Sequence, residues 1–354
     1  MRHHSRSAVT APQRILIIRL SAIGDIVFAS GMVPALKTRY PDAAIDWVVE
    51  ESYRDLLQAN PGVDKLHLWP RRRWGKLWRE RQWPVLIGEM QALIRQLRAR
   101  RYDWILDTQG LLKSGLFARL ARGEFRVGLG SREGSQWWMA RVVSRKTRDR
   151  RIASEYLQLL RELDVAPGDY PLDIHLSPEH QKEAEDTLRF FNINTPYAVF
   201  CPFTTRPQKH WRQARWPRLA TSLQSRWGLS CLVLGSADEK QTAQEIVIQS
   251  QDACFSAAGL TSIGGSAALI RQATLVIGVD TGMTHLGIAF RRPTVALFGA
   301  TRPYLDPVFD KARVLYRPRD CSPCRKRPIC GGRFDCMEEW QVNDVIAAIS
   351  QVNH

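Results

Sequence analysis

The sequence predicts an α/β protein with two domains, each built on a mostly parallel sheet. Short apolar runs alternate with amphipathic segments across residues 15–122 and again across residues 197–298. This alternation is typical of parallel strands joined by helical crossovers. A chain of 354 residues also exceeds the length at which single cores usually stop growing. We place the boundary in the proline-rich segment 164–179, giving domains at residues 1–175 and 176–354.

In the first domain, short apolar runs bounded by polar or turn residues predict strands, and apolar residues at 3.6-residue spacing predict helices. The helix that follows the first strand should end before Pro41. The predicted strands are Ile15–Ile18, Ala44–Val49, Leu66–Trp69 and a strand ending at Asp107; the predicted helices are Ile26–Tyr40, Tyr53–Gln58, Pro84–Arg101 and Leu112–Arg122.

The same pattern restarts after the linker. The predicted strands are Tyr197–Cys201, Ser230–Leu234, Thr274–Gly278 and Thr294–Phe298; the predicted helices are Arg215–Trp227, Glu239–Ser250, Ile263–Arg271 and Met283–Phe290. Trp211 and Trp216 are expected in the core, and the isolated thiols of Cys201, Cys231 and Cys254 are expected to pack as small apolar groups.

Composition and charge restrict the class of partner. Hydrophobic residues make up 44% of the chain and charged residues 24%, as in ordinary globular proteins. No apolar run approaches the length of a membrane span, and the basic N-terminus lacks the apolar core of a signal peptide, so we expect a cytoplasmic protein. The net charge of +16 favours a polyanion: nucleic acid, an anionic membrane or a phosphorylated substrate.

A lone carboxylate, Asp25, stands where the first strand gives way to a helix, in "RLSAIGDIVFAS". It could cap the helix by accepting hydrogen bonds from the first free N–H groups. It could equally be a reactive group, because loops after parallel strands hold the functional residues of α/β proteins. The residues alone leave both interpretations open.

Two post-strand loops in the second domain suit a phosphate or diphosphate. In "LVIGVDTGMTHLGIA", a strand runs into Asp280, Thr281 and Gly282, and a helix start offers free N–H groups to an anion. Asp280 and Thr281 could instead serve only as helix caps. In "CPFTTRPQKHW", the loop carries hydroxyls and cations that would suit a diphosphate leaving group: Thr204, Thr205, Arg206, Lys209 and His210.

Other nucleotide and metal motifs are missing from the sequence. It lacks GxxxxGK[ST], which disfavours a P-loop NTPase, and "GLGSREG" is off register from the dinucleotide fingerprint, which disfavours an NAD enzyme. It also lacks HExxH and a paired Asp-x-Asp suited to magnesium. The pattern favours a nucleotide donor held by the second domain and an acceptor offered from the first.

The segment "WPRRRWGKLWRERQW" mixes six cations with four tryptophans. Nucleic-acid binders and membrane-surface segments both use this combination, and a solvated charged loop is the third interpretation. We prefer an anionic lipid or glycolipid, because a nucleotide-sugar pattern needs an acceptor. Near the C-terminus, the spacing C-x2-C-x5-C-x5-C predicts a possible structural zinc site, with reduced, unliganded thiols as the alternative, at Cys321, Cys324, Cys330 and Cys336.

Taken together, these residues resemble glycosyltransferase family 9, the bacterial lipopolysaccharide heptosyltransferases. The resemblance is carried by four blocks in the family's order: "SAIGDIVFASGMVPALK", "DWVVEE" with "LDTQGLLKSG", "TTRPQKHW" and "VDTGMTHLGIA". The second block looks most like the heptosyltransferase I branch. The resemblance implies a GT-B fold, with two Rossmann-like domains whose parallel sheets face a central cleft.

The resemblance also implies roles for individual residues. Asp25 matches the catalytic base, while Gln109 and Lys113 would face the acceptor. Independently of the resemblance, the positive charge of Arg71, Arg72 and Arg73 makes them further candidates for recognising an anionic acceptor. The positions that match donor-binding residues are Thr204, Thr205, Lys209, Glu239, Asp280, Thr281, Gly282 and His285.

The activity implied is metal-independent, inverting transfer of heptose from ADP-heptose to the Kdo and lipid A inner core. No cofactor is required in this interpretation, and no nucleic-acid partner is expected. The enzyme would sit peripherally on the cytoplasmic face of the inner membrane. The four-cysteine segment departs from the best-known heptosyltransferase I sequences, so a later core heptose or another nucleotide sugar stays an alternative. A non-catalytic basic protein that binds nucleic acid or membrane is the alternative from another class.

Overall fold

In the computed structural model, residues 11–194, 196–324 and 327–352 are described. The chain divides into two compact units. Of the described residues, the first contains residues 11–21, Ala29–Thr147 and Glu155–Pro171. The second contains Ala22–Phe28, Arg148–Ser154 and the described residues from Leu172 onward. The turn that carries Asp25 therefore belongs to the second unit, although it follows the first strand in sequence.

Six parallel strands form the first sheet, in the order β3-β2-β1-β4-β5-β6. The strands are β1 (Arg14–Ile18), β2 (Ala44–Glu50), β3 (Lys65–Trp69), β4 (Arg101–Asp107), β5 (Arg122–Leu129) and β6 (Arg141–Val143). The helices up to the linker are α1 (Ile23–Ser30), α2 (Met32–Arg39), α3 (Arg71–Arg79), α4 (Trp83–Arg98), α5 (Leu112–Leu120) and α6 (Ser154–Glu162). Ile15–Ile18 are fully buried, as expected for a central parallel strand.

A second sheet of six parallel strands has the order β12-β11-β10-β7-β8-β9. Its strands are β7 (Tyr197–Cys201), β8 (Ser230–Val233), β9 (Cys254–Ser256), β10 (Leu275–Val279), β11 (Thr294–Leu297) and β12 (Ala312–Leu315). The helices are α7 (Pro178–Phe190), α8 (Arg215–Trp227), α9 (Lys240–Gln249), α10 (Ile263–Gln272), α11 (Gly282–Ala289), α12 (Asp335–Glu338) and α13 (Val342–Val352).

Both sheets share one topology. Numbered within its own unit, each has the doubly wound order 3-2-1-4-5-6, in which strands 2 and 3 are added on one side of the first strand and strands 4 to 6 on the other. Ligands of such sheets bind beyond the carboxyl ends of the strands at this switch point. In the first sheet the switch lies between β1 and β4, and in the second between β7 and β10. The loops after these strands are therefore the places to look for a site.

The predicted single helix at Ile26–Tyr40 is wrong, because the structure has two helices separated at Gly31. A Cβ on Gly31 would lie 2.5 Å from Cε1 of Tyr170, so the glycine lets this aromatic ring pack against the backbone. The basic segment after β3 is also not a loop, since residues 71–79 form α3. The sequence interpretation further omitted β5, β6, β9, β12, α6, α7, α12 and α13.

Several core predictions are confirmed. Trp211 and Trp216 are almost fully buried and meet edge to face, with ring centroids 5.0 Å apart. Cys201, Cys231 and Cys254 are buried thiols. Burial raises the pKa of the Cys201 thiol to about 12, so this group stays neutral. Within the described ranges, no helix is both long and apolar enough to cross a bilayer.

Candidate functional site

A buried carboxylate, Asp280, stands directly after β10 at the switch point of the second sheet. The Lys209 ammonium lies 2.7 Å from Oδ2 of Asp280. Nε2 of His285 lies 3.2 Å from Oδ1, and the Thr301 hydroxyl donates a hydrogen bond to Oδ2. Lys209 comes from the loop after β7 and Thr301 from the segment after β11, so three post-strand segments meet at one carboxylate.

The charge of Asp280 is fixed by its neighbours. Burial alone would raise its pKa, but the hydrogen bond with His285 and the positive charge of Lys209 hold the pKa well below its ordinary value. Asp280 is therefore an anion at neutral pH. Its negative charge holds the Lys209 ammonium beside the start of α11, where the first free N–H groups of the helix also favour an anion.

Aromatic rings surround His285. The Phe28 ring centroid lies 4.6 Å from that of His285, and the Phe298 and Tyr304 rings lie 6.2 and 5.5 Å away. The Tyr304 hydroxyl is 2.9 Å from Nδ1 of His285. When Nε2–H donates to Asp280, Nδ1 accepts from Tyr304, which fixes the tautomer and the ring orientation. His285, which is itself almost fully buried, thus positions Asp280.

Sequence reasoning missed Thr301 and Tyr304. Both follow β11 in "FGATRPY", a polar stretch at the same carboxyl-terminal edge of the sheet as the two predicted loops. That position after a buried strand is the signal that could have found them.

The start of α11 is not explained by helix capping. Thr281 is the N-cap residue, but its side chain makes no capping hydrogen bond. Both carboxylate oxygens of Asp280 are engaged by Lys209, His285 and Thr301. The alternative in which Asp280 and Thr281 serve only as caps is therefore wrong. Gly282 matters for a different reason, because a Cβ there would lie 2.5 Å from Cβ of Ile23.

The turn carrying Asp25 packs against this helix start. A Cβ on Gly24 would lie 2.8 Å from Cδ2 of His285, and one on Gly282 would lie 2.7 Å from the Gly24 nitrogen. Two glycines thus allow the backbone before Asp25 to approach α11 closely. Asp25 itself is the third residue of α1 and half-buried. Its Oδ2 lies 3.5 Å from the Ala22 nitrogen, too long for a strong cap interaction.

Of the remaining predicted donor residues, Thr204 and Glu239 have local hydrogen-bond partners. The Thr204 carbonyl lies 2.9 Å from Nε2 of His210, and this contact joins the two ends of the loop after β7. Thr205 is exposed on the same loop. Glu239 accepts hydrogen bonds from the Ser236 nitrogen at 2.7 Å and hydroxyl at 2.9 Å, forming a capping box at the start of α9.

A basic cluster occupies the carboxyl-terminal edge of the first sheet. Nζ of Lys113 lies 5.6 Å from the Trp69 ring centroid, and the Arg71 guanidinium lies 5.9 Å from it. Arg71 also lies 3.5 Å from Oε2 of buried Glu50. Burial and then the charge of Arg71 lower the pKa of Lys113. A cavity of about 420 Å³ adjoins the cluster, lined by Glu51, Ser52, Arg54, Asp55, Arg71 and Arg72.

Arg73 and Gln109 differ from the other predicted acceptor residues. Arg73 is held 2.7 Å from Glu89 on α4, so it fastens two helices together. Gln109 is buried, and its Oε1 accepts a hydrogen bond from the Leu20 nitrogen at 2.8 Å. It therefore fixes the end of β1 against the loop after β4. Asp107 supports that loop by accepting from the Gln109 and Gly110 nitrogens, at 3.0 and 2.9 Å.

All four C-terminal cysteines are free thiols that line one small enclosed cavity. The segment packs beside the loop that carries Thr301: the Ser322 hydroxyl donates to the Gly299 carbonyl, and a Cβ on Gly299 would meet the Cys336 sulfur at 2.7 Å. Among the described residues, no group of three His, Cys, Asp or Glu side chains is arranged so that it could hold a metal ion. The zinc site stays a prediction.

Comparison with known proteins gives concordant matches. The model of glycosyltransferase family 9 (heptosyltransferase) matches residues 90–331. Lipopolysaccharide heptosyltransferase 1 of Pseudomonas aeruginosa is 29% identical over 321 residues, covering 89% of this chain and 86% of that protein. Lipopolysaccharide heptosyltransferase 2 of Salmonella typhimurium is 30% identical over 325 residues, covering 85% and 87%.

Among solved structures, E. coli heptosyltransferase WaaC with ADP-2-deoxy-2-fluoro heptose superposes with a TM-score of 0.70 at 25% identity, covering 95% of this chain and 99% of that one. This similarity and the two six-stranded parallel sheets confirm the predicted GT-B fold.

Proposed function

The chain belongs to glycosyltransferase family 9, and from that premise we propose that it transfers heptose from ADP-heptose to the inner core of lipopolysaccharide. The second unit would hold the donor and the first unit the acceptor. The observation that carries the proposal is the buried group of Asp280, Lys209, His285 and Thr301 beside the start of α11. The resemblance to a heptosyltransferase structure with an ADP-heptose analogue supports the same donor.

In the proposed reaction, the Asp25 carboxylate accepts the proton of an acceptor hydroxyl. That oxygen attacks the anomeric carbon of the heptose, the bond from this carbon to the diphosphate breaks, and ADP leaves from the opposite face. The anomeric configuration is therefore inverted. Positioned proton transfer of this kind contributes typically ~10²–10⁴-fold to a rate. Support comes from the close packing of Gly24 against His285, which brings the turn of Asp25 to the proposed donor site.

We propose that the reaction needs no metal ion. As the diphosphate leaves, negative charge grows on it, and the Lys209 ammonium and the free N–H groups of α11 would stabilise that charge. Thr204, Thr205 and Thr281 would add hydroxyl donors, and Glu239 would contact the adenosine ribose. Asp280 would hold Lys209 in place and contact the heptose hydroxyls.

The acceptor would be Kdo-lipid A or a related anionic glycolipid at the cytoplasmic face of the inner membrane. Arg71 and Lys113 form a basic cluster at the Trp69 ring, and Arg71 and Arg72 line the adjoining cavity, so these cations suit carboxylate or phosphate groups. Gln109 and Arg73 would act as positioning residues, because each is engaged in holding neighbouring segments.

A second candidate within the family is transfer to a heptose already attached to the core. It is favoured by the similarity to a heptosyltransferase 2, whose identity of 30% is no lower than the 29% found for a heptosyltransferase 1. A non-catalytic binding protein is disfavoured. The chain belongs to a transferase family, and a purely binding role would not explain the buried group around Asp280.

The test measures ADP release and glycolipid product from ADP-heptose and Kdo₂-lipid A in the presence of EDTA. We expect product with the wild type and a loss of at least 100-fold with Asp25→Asn. Asp42→Asn, an exposed aspartate in the first unit, is the matched control and should retain activity. Binding of ADP-heptose without product would contradict the proposed acceptor and favour one that already carries a heptose. Failure to bind ADP-heptose would refute the proposed donor assignment.

We also propose that the four cysteines bind a structural zinc ion, because four thiols on one short segment line a single cavity. Elemental analysis of protein purified without chelator should give one zinc per chain in the wild type and none in Cys324→Ser/Cys330→Ser. The same variant should melt at a lower temperature. A wild type free of zinc and of other metals would refute the proposal.

A further inference from the structure

The helical hairpin of α3 and α4, residues 71–98, exposes large apolar side chains near its tip. Trp78 is 63% exposed, Ile87 52%, Met90 40% and Trp83 38%. The Trp78 and Trp83 rings meet edge to face, with centroids 4.3 Å apart. Isolated apolar side chains on a surface are ordinary, whereas a contiguous exposed group marks an interaction surface.

Only part of the apolar face of α4 contacts the first unit. At about 100° per residue, positions 86, 93 and 97 fall within about 40° of one another, and positions 83, 87, 90 and 94 form an adjacent stripe about 60° wide. The first group is buried, with Leu86, Leu93 and Leu97 facing the core. Trp83, Ile87 and Met90 of the stripe are exposed. The helix therefore carries an apolar face wider than its own fold uses.

The hairpin is held firmly in place. Arg73 and the Trp74 indole N–H contact the two oxygens of Glu89, at 2.7 and 3.0 Å, and Leu77 of α3 is buried. Since these contacts fix the two helices to each other, the exposed stripe is a preformed surface.

Cations flank the tryptophan pair in the sequence. Residues 71–83 contain six Lys and Arg side chains and one acid, Glu80. Beyond the arginines assigned to the acceptor, Lys76, Arg79 and Arg81 are exposed near the tryptophan pair. Exposed apolar side chains edged by cations are the composition of segments that lie in the interface of an anionic bilayer.

We propose that the tip of this hairpin inserts into the headgroup region of an anionic lipid bilayer. The tryptophans would lie at headgroup level, Ile87 and Met90 would reach the acyl boundary, and the cations would contact lipid phosphates. This inference rests on the proposed function in one respect: an enzyme whose acceptor is a lipid has to bind at a membrane surface.

Two other occupants fit the surface less well. Nucleic acid would use the cations and the tryptophans, but the aliphatic side chains of Ile87 and Met90 have no part in base stacking. A second copy of the chain, packed isologously, would bring two sets of cations together.

The test is flotation of the purified full-length protein with vesicles of phosphatidylcholine, alone or mixed with phosphatidylglycerol. We expect binding to the anionic vesicles only. Lys76→Gln/Arg79→Gln/Arg81→Gln should reduce the partition coefficient on the order of 100-fold, at about fivefold per charge. Trp78→Ser/Trp83→Ser/Ile87→Ser should reduce it at least about tenfold. Trp137→Ser, at a site 83% exposed outside the hairpin, is the control and should bind like the wild type.

One further double variant tests how deeply the tryptophans insert into the bilayer while keeping aromatic side chains at both positions. Brominated lipids should quench wild-type tryptophan fluorescence, and Trp78→Phe/Trp83→Phe should bind normally but lose most of that quenching. Equal binding by the wild type and the serine variant would overturn the proposal. The proposal would also be overturned if the serine substitutions dissociated a dimer without reducing vesicle binding, or if the wild type bound duplex DNA in preference to anionic vesicles.

Transfer assays separate this proposal from the proposed function. The serine variant should retain transfer to a delipidated, water-soluble acceptor sugar and lose transfer to acceptor embedded in vesicles. If neither acceptor reacts with the wild type, the proposed function fails while vesicle binding still decides the docking surface. If vesicle binding fails while the soluble acceptor reacts, only the docking surface is refuted.

Discussion

At the scale of single residues, Asp280 depends on its partners for its charge. Burial of a carboxylate favours the neutral form, yet its pKa is lowered because His285 and Lys209 stabilise the anion. Removing one partner of a buried ion pair leaves the other charge uncompensated, which costs more than the pair itself contributes. Lys209 should therefore matter for stability as well as for the donor.

We predict that Lys209→Met lowers the free energy of unfolding by about 3 kcal/mol at neutral pH. Lys209→Met/Asp280→Asn should recover much of that loss, because no buried charge remains, but neither variant should transfer heptose. Urea unfolding of the wild type, Lys209→Met, Asp280→Asn and the double variant measures the loss of stability and its recovery in one double-mutant cycle. The control is Lys37→Met, which breaks a more exposed pair with Asp64 at 3.5 Å and should cost about 1 kcal/mol or less.

The same cycle makes a prediction about pH. Because the folded-state pKa of Asp280 is depressed, the stability it contributes is present above the unfolded-state value of about 4 and is lost as the pH falls through the folded value. The difference between wild type and Lys209→Met should therefore be constant from pH 7 to about pH 5 and shrink in stronger acid. A difference that grows as the pH falls would contradict this account.

At the scale of secondary-structure elements, the contact between the starts of α1 and α11 decides where Asp25 lies. The two helix starts can approach closely because Gly24 and Gly282 have no side chains. The His285 ring packs against Gly24. The two helices follow strands of different sheets, and backbone contact between their first turns places the turn of Asp25 in the second unit.

We predict that Gly24→Ala lowers kcat at least tenfold, because its Cβ would displace the turn before Asp25, and small misplacements of a reacting group are costly. Affinity for ADP should change much less than kcat, and calorimetry with ADP measures it. Gly88→Ala on α4 is the matched control, since no atom lies within 4 Å of the added Cβ. It should keep activity and gain up to about 1 kcal/mol in stability. Equal kcat in Gly24→Ala and wild type would contradict the proposed position of the base.

At the scale of the whole molecule, we expect the net charge of +16 to affect the association of the protein with anionic molecules more than it affects the fold. A positive field raises the local concentration of an anionic acceptor, and salt screens it over a Debye length of about 10 Å at 0.1 M.

We predict that KM for Kdo₂-lipid A rises about tenfold between low salt and roughly 0.5 M salt, with kcat nearly unchanged. Sucrose at equal osmolality is the control for effects other than screening. A KM that does not respond to salt would mean that recognition of the acceptor does not depend on the basic surface.

The predictable part of the fold followed from local pattern. Apolar runs such as Ile15–Ile18 and Leu275–Val279 are buried on both faces, so periodicity located them well. Short or polar strands such as β5 and β12 carried no such pattern and were omitted. The break at Gly31 depends on a distant ring, Tyr170, and α3 is a helix despite its many charges because Leu77 and Trp74 pack against neighbours.

By itself, the sequence determined the α/β class, the two-domain division as a prediction, the family resemblance, and the post-strand loops that hold Asp25, Lys209 and Asp280. These follow from patterns between residues close along the chain. Only the tertiary structure decided that Thr301, Tyr304 and Phe28 complete the surroundings of His285 and Asp280, that Arg73 fastens α3 to α4, and that half of the apolar face of α4 stays exposed. Those outcomes depend on contacts between residues far apart in sequence, which no local pattern records.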